Sequence, residues 1–159
     1  MTTPTNRYPP AVNALAAAFT AALPAPPAPD GVEVRLGVHL HPAYAARAVT
    51  VAMTFDEALN SVSVDRTETG AGRRVTESID VACSLFVGGE GGAPDFDGWR
   101  AAAGDLLQVL DDAMRDDQAL NDVVARTHRT FTRWIDWFDE SGGAMGVIVD
   151  FIANLVVMP

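Results

Sequence analysis

The chain has 159 residues, and 21 acidic against 11 basic residues give it a formal net charge of −10. This length predicts a single domain over 1–159. The acidic balance argues against proteins that read nucleic-acid sequence or dock on anionic membrane, because both need clustered positive charge. Every basic residue is arginine, and the lack of lysine excludes Schiff-base chemistry and a Walker-type phosphate loop. With one cysteine and no apolar run long enough to span a bilayer, we expect a soluble chain without an internal disulfide.

The N-terminal region predicts an arm, a helix and a spacer. Residues 1–9 are polar and contain proline, which favours a loose arm. Apolar residues then recur every three or four positions and predict a short amphipathic helix with proline near its first turn. They are Val12, Leu15, Phe19 and Leu23. The prolines of segment 24–30 end this helix and predict a stiff, extended spacer inside the domain.

A change from a period of 3.6 to a period of 2 predicts a β-meander after the spacer. The first strand, 32–40, places Val32, Val34 and Leu36 on one face and Arg35 on the other. Three more strands are predicted over 48–55, 61–68 and 73–87. The last two form a hairpin, with a possible slip of the alternation near Glu77.

A glycine-rich segment, 88–92, predicts a flexible loop before the clearest helix of the sequence, 95–115. Asp95 and Asp97 lie in its first turn, where the helix dipole favours carboxylates. One apolar stripe runs along the helix. Its members are Phe96, Trp99, Ala103, Leu106, Leu107, Leu110 and Met114. The segment 116–122 is predicted to be a polar connector.

The last third predicts a long hairpin of strands 123–140 and 145–157. Trp134 and Trp137 lie on opposite faces of the first strand; one is expected to enter the core, and Trp134 is a candidate contact residue. The second strand is apolar on both faces, which predicts a central position covered on both sides. The whole order predicts an α+β fold: a mostly antiparallel sheet with an N-terminal helix and one long amphipathic helix packed on it.

The pattern predicts no catalytic constellation, cofactor or metal site, and hence no enzyme. Two histidines, His39 and His41, share a strand face and His128 lies in a later strand, but exposed or hydrogen-bonded histidines explain them better than metal ligands. The string Gly-Ala-Gly-Arg-Arg at 70–74 precedes a strand rather than a helix, so it predicts a hairpin turn. Cys83 lies on the apolar side of its strand and is expected to be inert packing.

Several elements carry a resemblance to a known family. The strand RRVTESIDVACSLFVGG is followed by a glycine-rich loop and the helix DFDGWRAAAGDLLQVLDDAMRDDQAL. The helix ends in an acidic Asp-x-x-Leu-x-x-Val transition at 117–123, and a long strand, a glycine turn at 141–144 and the strand MGVIVDFIANLVV follow. In this pattern the chain resembles the tail terminator (tail-tube capping, or neck) proteins of long-tailed bacteriophages, especially those of actinobacterial hosts. It departs from them in Asn121-Asp122, where glycine is expected, and in the proline-rich spacer.

The resemblance implies a structural virion protein, made in the host cytoplasm, that forms a ring of six subunits at the head-proximal end of the tail tube. Its implied partners are further copies of itself, the tail tube protein and the head-to-tail stopper protein, with DNA passing through the lumen and no membrane. The acidic composition suits such a conduit, because an acidic lining repels DNA. Two alternatives stay open: the stopper or connector protein of the same neck, and a small α+β ligand-binding domain or enzyme.

Opposite charges at two places predict a contact between subunits. Arginines stand at the mouth of the predicted hairpin, and aspartates crowd the C-terminal end of the long helix. A ring would place one subunit's arginines against the next subunit's acidic helix end and relieve repulsion there. The predicted interface residues are Arg73, Arg74, Asp111, Asp112, Asp116, Asp117 and Trp134.

Overall fold

The structure, a computed structural model, describes residues 8–37, 46–52, 54, 64–69, 74–90, 93–117, 120, 123–139 and 143–157. Its elements in chain order are α1 (Tyr8–Ala22), β1 (Glu33–Leu36), β2 (Arg47–Val51), β3 (Val64–Thr69), β4 (Arg74–Glu90), α2 (Phe96–Asp116), β5 (Arg126–Phe138) and β6 (Ala144–Val157). The described strands form one sheet in the order β1-β2-β4-β6-β5, with β3 also pairing with β4. The predicted α+β class is confirmed.

The sheet is antiparallel except at one edge, where β1 and β2 pair in parallel. The predicted meander is therefore wrong for its first two strands. Alternation of apolar residues identifies a strand but carries no information about its direction, which depends on where the connecting segment leads. The predicted hairpin of β3 and β4 is confirmed, with Val64 opposite Ile79 and Thr69 opposite Arg74.

Both helices pack on one face of the sheet, which we call the helix-covered face; the other is the second face. α1 contacts β1, β2 and α2, while α2 contacts β4, β5 and β6. The predicted stripe of α1 is buried, and the ring of Phe19 lies 6.3 Å from that of Phe151 on β6. The stripe of α2 is buried from Ala103 to Met114, and the side chain of Asp95 caps that helix by accepting a 3.0 Å hydrogen bond from the Gly98 amide.

The N-terminal segments differ from their predictions. α1 begins at Tyr8, inside the predicted loose arm, and residues 1–7 of that arm lie outside the described part. The proline-rich segment is a series of turns rather than an extended spacer: the Gly31 amide donates to the Ala28 carbonyl at 2.8 Å, and the Val32 amide to the Pro24 carbonyl at 2.8 Å. These hydrogen bonds bring the end of the segment back to its start, so that β1 begins beside the end of α1.

The strand β4 contains glycines that were predicted to form a loop. It runs to Glu90 and pairs with β6 in unbroken register from Glu77, so the predicted slip near Glu77 is also wrong. Gly88 is required there by close packing: a Cβ atom at this position would lie 2.1 Å from the Met145 carbonyl oxygen and 2.6 Å from the Phe86 ring. Composition alone did not distinguish a glycine packed under an aromatic ring from a glycine in a loop.

The C-terminal hairpin follows the prediction closely. β6 lies between β4 and β5, and its predicted central position is confirmed. Register places Arg133, Ile135 and Trp137 of β5 on the second face, with Trp134 and Phe138 on the helix-covered face. A bulge between Arg129 and Phe131 interrupts the ladder. The connector before β5 is not wholly polar, because Leu120 is buried at 1 % exposure with a φ of 45°.

At the sheet's other edge, the faces predicted for the residues of β1 are partly wrong. Val32 is buried as expected, but Leu36 is 43 % exposed and Arg35 is 8 % exposed. Leu36 is the last residue of a strand shorter than predicted, so its side chain lies beyond the core. Residues 38–40 of the predicted strand lie outside the described part.

Candidate functional site

Two arginine–aspartate pairs join α2 to the edge strand β5. Arg129 donates from Nε and Nη2 to the two carboxylate oxygens of Asp111, both at 2.8 Å. Nearer the start of α2, Arg100 donates to Asp136 at 3.2 and 2.5 Å and to Asp97 at 2.9 Å. The hydrogen bonds that Arg129 donates to Asp111 and Arg100 donates to Asp136 raise the pKa values of the two arginines, so both guanidinium groups stay charged.

Most of the predicted acidic interface residues have contacts within the chain. Asp111 binds Arg129, and Asp112 accepts from Arg115 one turn along α2. Asp116 is exposed at the end of α2, and the amide of Asp117 donates to the Ala113 carbonyl at 3.2 Å. Part of the repulsion expected at this helix end is thus offset inside the subunit.

The arginines of the predicted interface are only partly described. Arg73 lies outside the described part, and Arg74 is the first residue of β4, where its backbone pairs with Thr69. Because α2 runs opposite to β4, the C-terminal end of α2 and the start of β4 lie at the same end of the sheet. The contact of these residues with another subunit stays a prediction.

Exposed aromatic side chains are concentrated on β5. The candidate Trp134 is 46 % exposed, and two further aromatics that the sequence analysis did not single out, Phe131 and Phe138, are 41 % and 57 % exposed. Trp134 and Phe138 share the helix-covered face, where the Trp134 ring lies near Gly104 of α2, while Phe131 lies on the second face. The signal that could have found them is the presence of large aromatics on both faces of a strand that is otherwise polar.

The other tryptophan of β5 has a structural role. Trp137 is half-buried, and its ring contacts that of Phe86 edge to face, with centroids 5.9 Å apart. The Phe86 ring covers Gly88 and Gly146, because a Cβ atom built on either glycine would lie 2.6 Å from it. Trp137 therefore packs on the second face and not in the core between sheet and helices.

A polar row crosses the second face between apolar rows. Register places one polar residue from each of five strands side by side in this row. The row consists of Arg35, Thr50, Ser84, Asp150 and Arg133. Asp150 is completely buried, and Arg35 forms a bidentate pair at 3.0 Å with Glu33, which lowers the pKa of that carboxyl. This row differs from the prediction that the strand 145–157 is apolar on both faces.

A shallow pocket lies where the end of α2 meets the start of β5. Its volume is about 290 Å³, and its lining comprises Asp111, Met114, Arg115, Thr127, His128 and Arg129. Both of its arginines already bind carboxylates on α2. His128 is exposed on β5. The pocket is therefore typical of an ordinary surface depression, and its lining side chains do not form a convergent catalytic group.

The remaining candidate chemistry is limited. Cys83 is fully buried in the core, and burial raises the pKa of its thiol to about 12. Among the described residues, no cluster of three or more His, Cys, Asp or Glu side chains is placed to hold a metal ion, and His39 and His41 lie outside that part. Neither described helix has the length and hydrophobicity needed to cross a membrane.

Comparison with protein-family models and with curated proteins gave no match to the chain. Three features of the molecule bear on its function: a sheet with helices on one face, an edge strand with exposed aromatics, and a strongly acidic chain.

Proposed function

We propose that the chain is a structural virion protein, the ring-forming tail terminator of a long-tailed phage. In this role it caps the head-proximal end of the tail tube and joins it to the head-completion proteins. The observation that carries the proposal is the element order, α-β-β-β-β-α-β-β. It agrees with the pattern on which the resemblance to tail terminators rests, from the N-terminal helix to the last apolar strand.

The surface of the chain also supports this proposal. A ring subunit needs side surfaces that bind its neighbours, and β5 offers an edge with three exposed aromatics. A ring around a DNA conduit must let the duplex pass without holding it, and a chain with a net charge of −10 repels phosphate instead of binding it. The described pocket lacks convergent catalytic groups, which makes the ligand-binding or enzymatic alternative less favourable.

Deleting the gene from the phage that encodes the chain tests the proposal. Electron microscopy of the lysate should then show tail tubes of uncontrolled length that lack heads, because nothing stops polymerisation. Expression of the wild-type chain in the host should restore uniform, head-bearing tails. Tails of normal, uniform length that fail to join heads would indicate the stopper instead, and unchanged particles would contradict both functions.

The predicted arginine contact can be tested in the same system. Complementation with Arg73→Glu and Arg74→Glu together should give long or headless tails while the purified variant keeps the wild-type circular dichroism spectrum. A matched control is Arg47→Glu at the start of β2, which lies between β1 and β4 in the sheet. Normal tails with the double variant would show that these two arginines do not belong to the interface. The gene deletion would still test the proposed function.

A further inference from the structure

We propose that the outer edge of β5 is the surface through which each copy of this chain binds a second copy, and that it meets a different, acidic surface of that copy. The inference rests on the proposed function to the extent that a ring needs such a contact. We call the five residues that define this surface the β5 surface: Arg126, Phe131, Arg133, Trp134 and Phe138.

The backbone of β5 is open on one side. Among the described strands, β5 is 13 residues long and pairs with β6 only. A long edge strand presents unpaired amide and carbonyl groups, and such an edge is a template for another chain unless charge or a bulge protects it. The bulge of β5 lies between Arg129 and Phe131, so the stretch from Phe131 to Phe138 stays regular.

The hydrophobic surface is concentrated on the same stretch. Four large hydrophobic side chains are exposed in the described part, and three of them belong to the β5 surface. Trp134 and Phe138 point to one side of the sheet and Phe131 to the other. A chain that docks on this edge is therefore contacted from both sides, and aromatic residues are the usual anchors of protein interfaces.

The charge of β5 indicates which partner binds the β5 surface. The strand β5 carries three arginines and one aspartate, so it is positive within a chain whose net charge is −10. Arg129 and Asp136 are bound to α2, and Arg126 at the start of β5 is exposed. A second copy is acidic over the rest of its surface, for example at the exposed Asp105 and Asp116 of α2. Complementary charge favours this copy as the partner.

The same charges select the geometry of the contact. If two β5 strands met symmetrically, the arginines of both copies would be brought together. If β5 meets an acidic surface of the next copy, the contact is heterologous, and repetition of a heterologous contact closes a ring when the rotation between copies allows it. The charge distribution therefore favours a repeating contact over a symmetric dimer.

Sedimentation velocity of the full-length chain over a range of concentrations and salt tests this inference. The wild-type chain should associate, and high salt should weaken association. The double variant Trp134→Ser/Phe138→Ser should reduce the association constant at least tenfold, which corresponds to about 1.4 kcal/mol. Leu36→Ser, which alters the fourth exposed hydrophobic residue at the opposite edge, is the matched control and should associate like the wild type. Thermal melting of each variant checks that it is folded.

A second variant tests the charge argument separately. Arg126→Glu should weaken association if β5 meets an acidic surface, and stronger association would overturn the heterologous contact. Equal association of Trp134→Ser/Phe138→Ser and the wild type would show that copies meet elsewhere, leaving the terminator function intact. A wild-type chain that stays monomeric at every concentration would overturn the β5 contact, and the gene deletion would then decide the function independently.

Discussion

Arg129 on β5 and Asp111 on α2 form a bidentate ion pair, with two hydrogen bonds of 2.8 Å between the guanidinium group and the two carboxylate oxygens. The two side chains are 28 % and 26 % exposed, so the pair is partly shielded from water. The planar match of the two groups fixes their relative orientation. The pair thus anchors the edge strand to the last turns of the helix that covers it.

A double-mutant cycle measures the strength of this anchor. Asp111→Asn and Arg129→Gln should show a coupling free energy of about 1 kcal/mol in urea unfolding, at the upper end of the range for surface ion pairs. The control cycle uses Asp112 and Arg115, which lie on the more exposed side of α2. Its coupling should be about 0.3–0.5 kcal/mol, and a larger coupling there than at Asp111 and Arg129 would contradict the anchor.

The packing of α2 on the sheet predicts the cost of a cavity. Leu107 is 6 % exposed, within the core between helix and sheet. Leu107→Ala should lower the free energy of unfolding by about 2–5 kcal/mol, as truncation of a buried leucine does. Leu36→Ala removes the same atoms from a side chain that is 43 % exposed, and its effect should be much smaller. Urea denaturation that gives less than about 0.5 kcal/mol for Leu107→Ala would mean that this face of α2 is not buried.

Two adjacent glycines of β4 give a matched test of the aromatic packing on the second face. A methyl group at Gly88 would lie 2.1 Å from the Met145 carbonyl oxygen, whereas the nearest atom to one at Gly89 is 3.8 Å away on Trp99. Gly88→Ala should therefore destabilise the protein by about 1–3 kcal/mol or more. Gly89→Ala should change the free energy of unfolding by less than about 0.5 kcal/mol. Equal melting temperatures for the two variants would refute the close packing of β4 against β6.

Burial of Cys83 predicts its reactivity. The thiol is 0 % exposed and its pKa is raised from 9.0 to about 12, because burial disfavours the thiolate. The neutral thiol is thus favoured by the fold, and the corresponding stability is complete below pH 9 and lost as the pH rises towards 12. At pH 8 a disulfide reagent that releases a coloured thiol should react slowly with the folded chain and rapidly in denaturant. Rapid reaction of the folded chain would show that Cys83 is accessible.

The long elements of the fold were predictable because their hydrophobic periods are strong. The stripe of α2 around Leu107 and the alternation of β5 and β6 identify an amphipathic helix and a hairpin without further information. The parallel pairing of β1 and β2 was not predictable, because the alternation in 32–36 is the same for either strand direction. Gly88 was assigned to a loop, since glycine is common in loops and its packing partner Met145 is distant in sequence.

The candidate site was predictable only in part. Trp134 was singled out because one of two tryptophans three residues apart on a strand must leave the core. Phe131 and Phe138 were missed, since alternation does not tell an edge strand from a central one. Asp150 was missed because it is a single charge within an apolar run, and its position opposite Ser84 depends on a register that only the folded sheet defines.

A cryo-electron microscopy reconstruction of the neck of the virion tests the proposed function most directly. If the chain is a tail terminator, the reconstruction should show a ring of its copies at the head-proximal end of the tail tube, in direct contact with the last ring of tube subunits. Each copy should show the six-stranded sheet with both helices on one face. Finding the chain on the head side of the neck with no contact to the tube, or finding no copy of it in the virion, would contradict the proposed function.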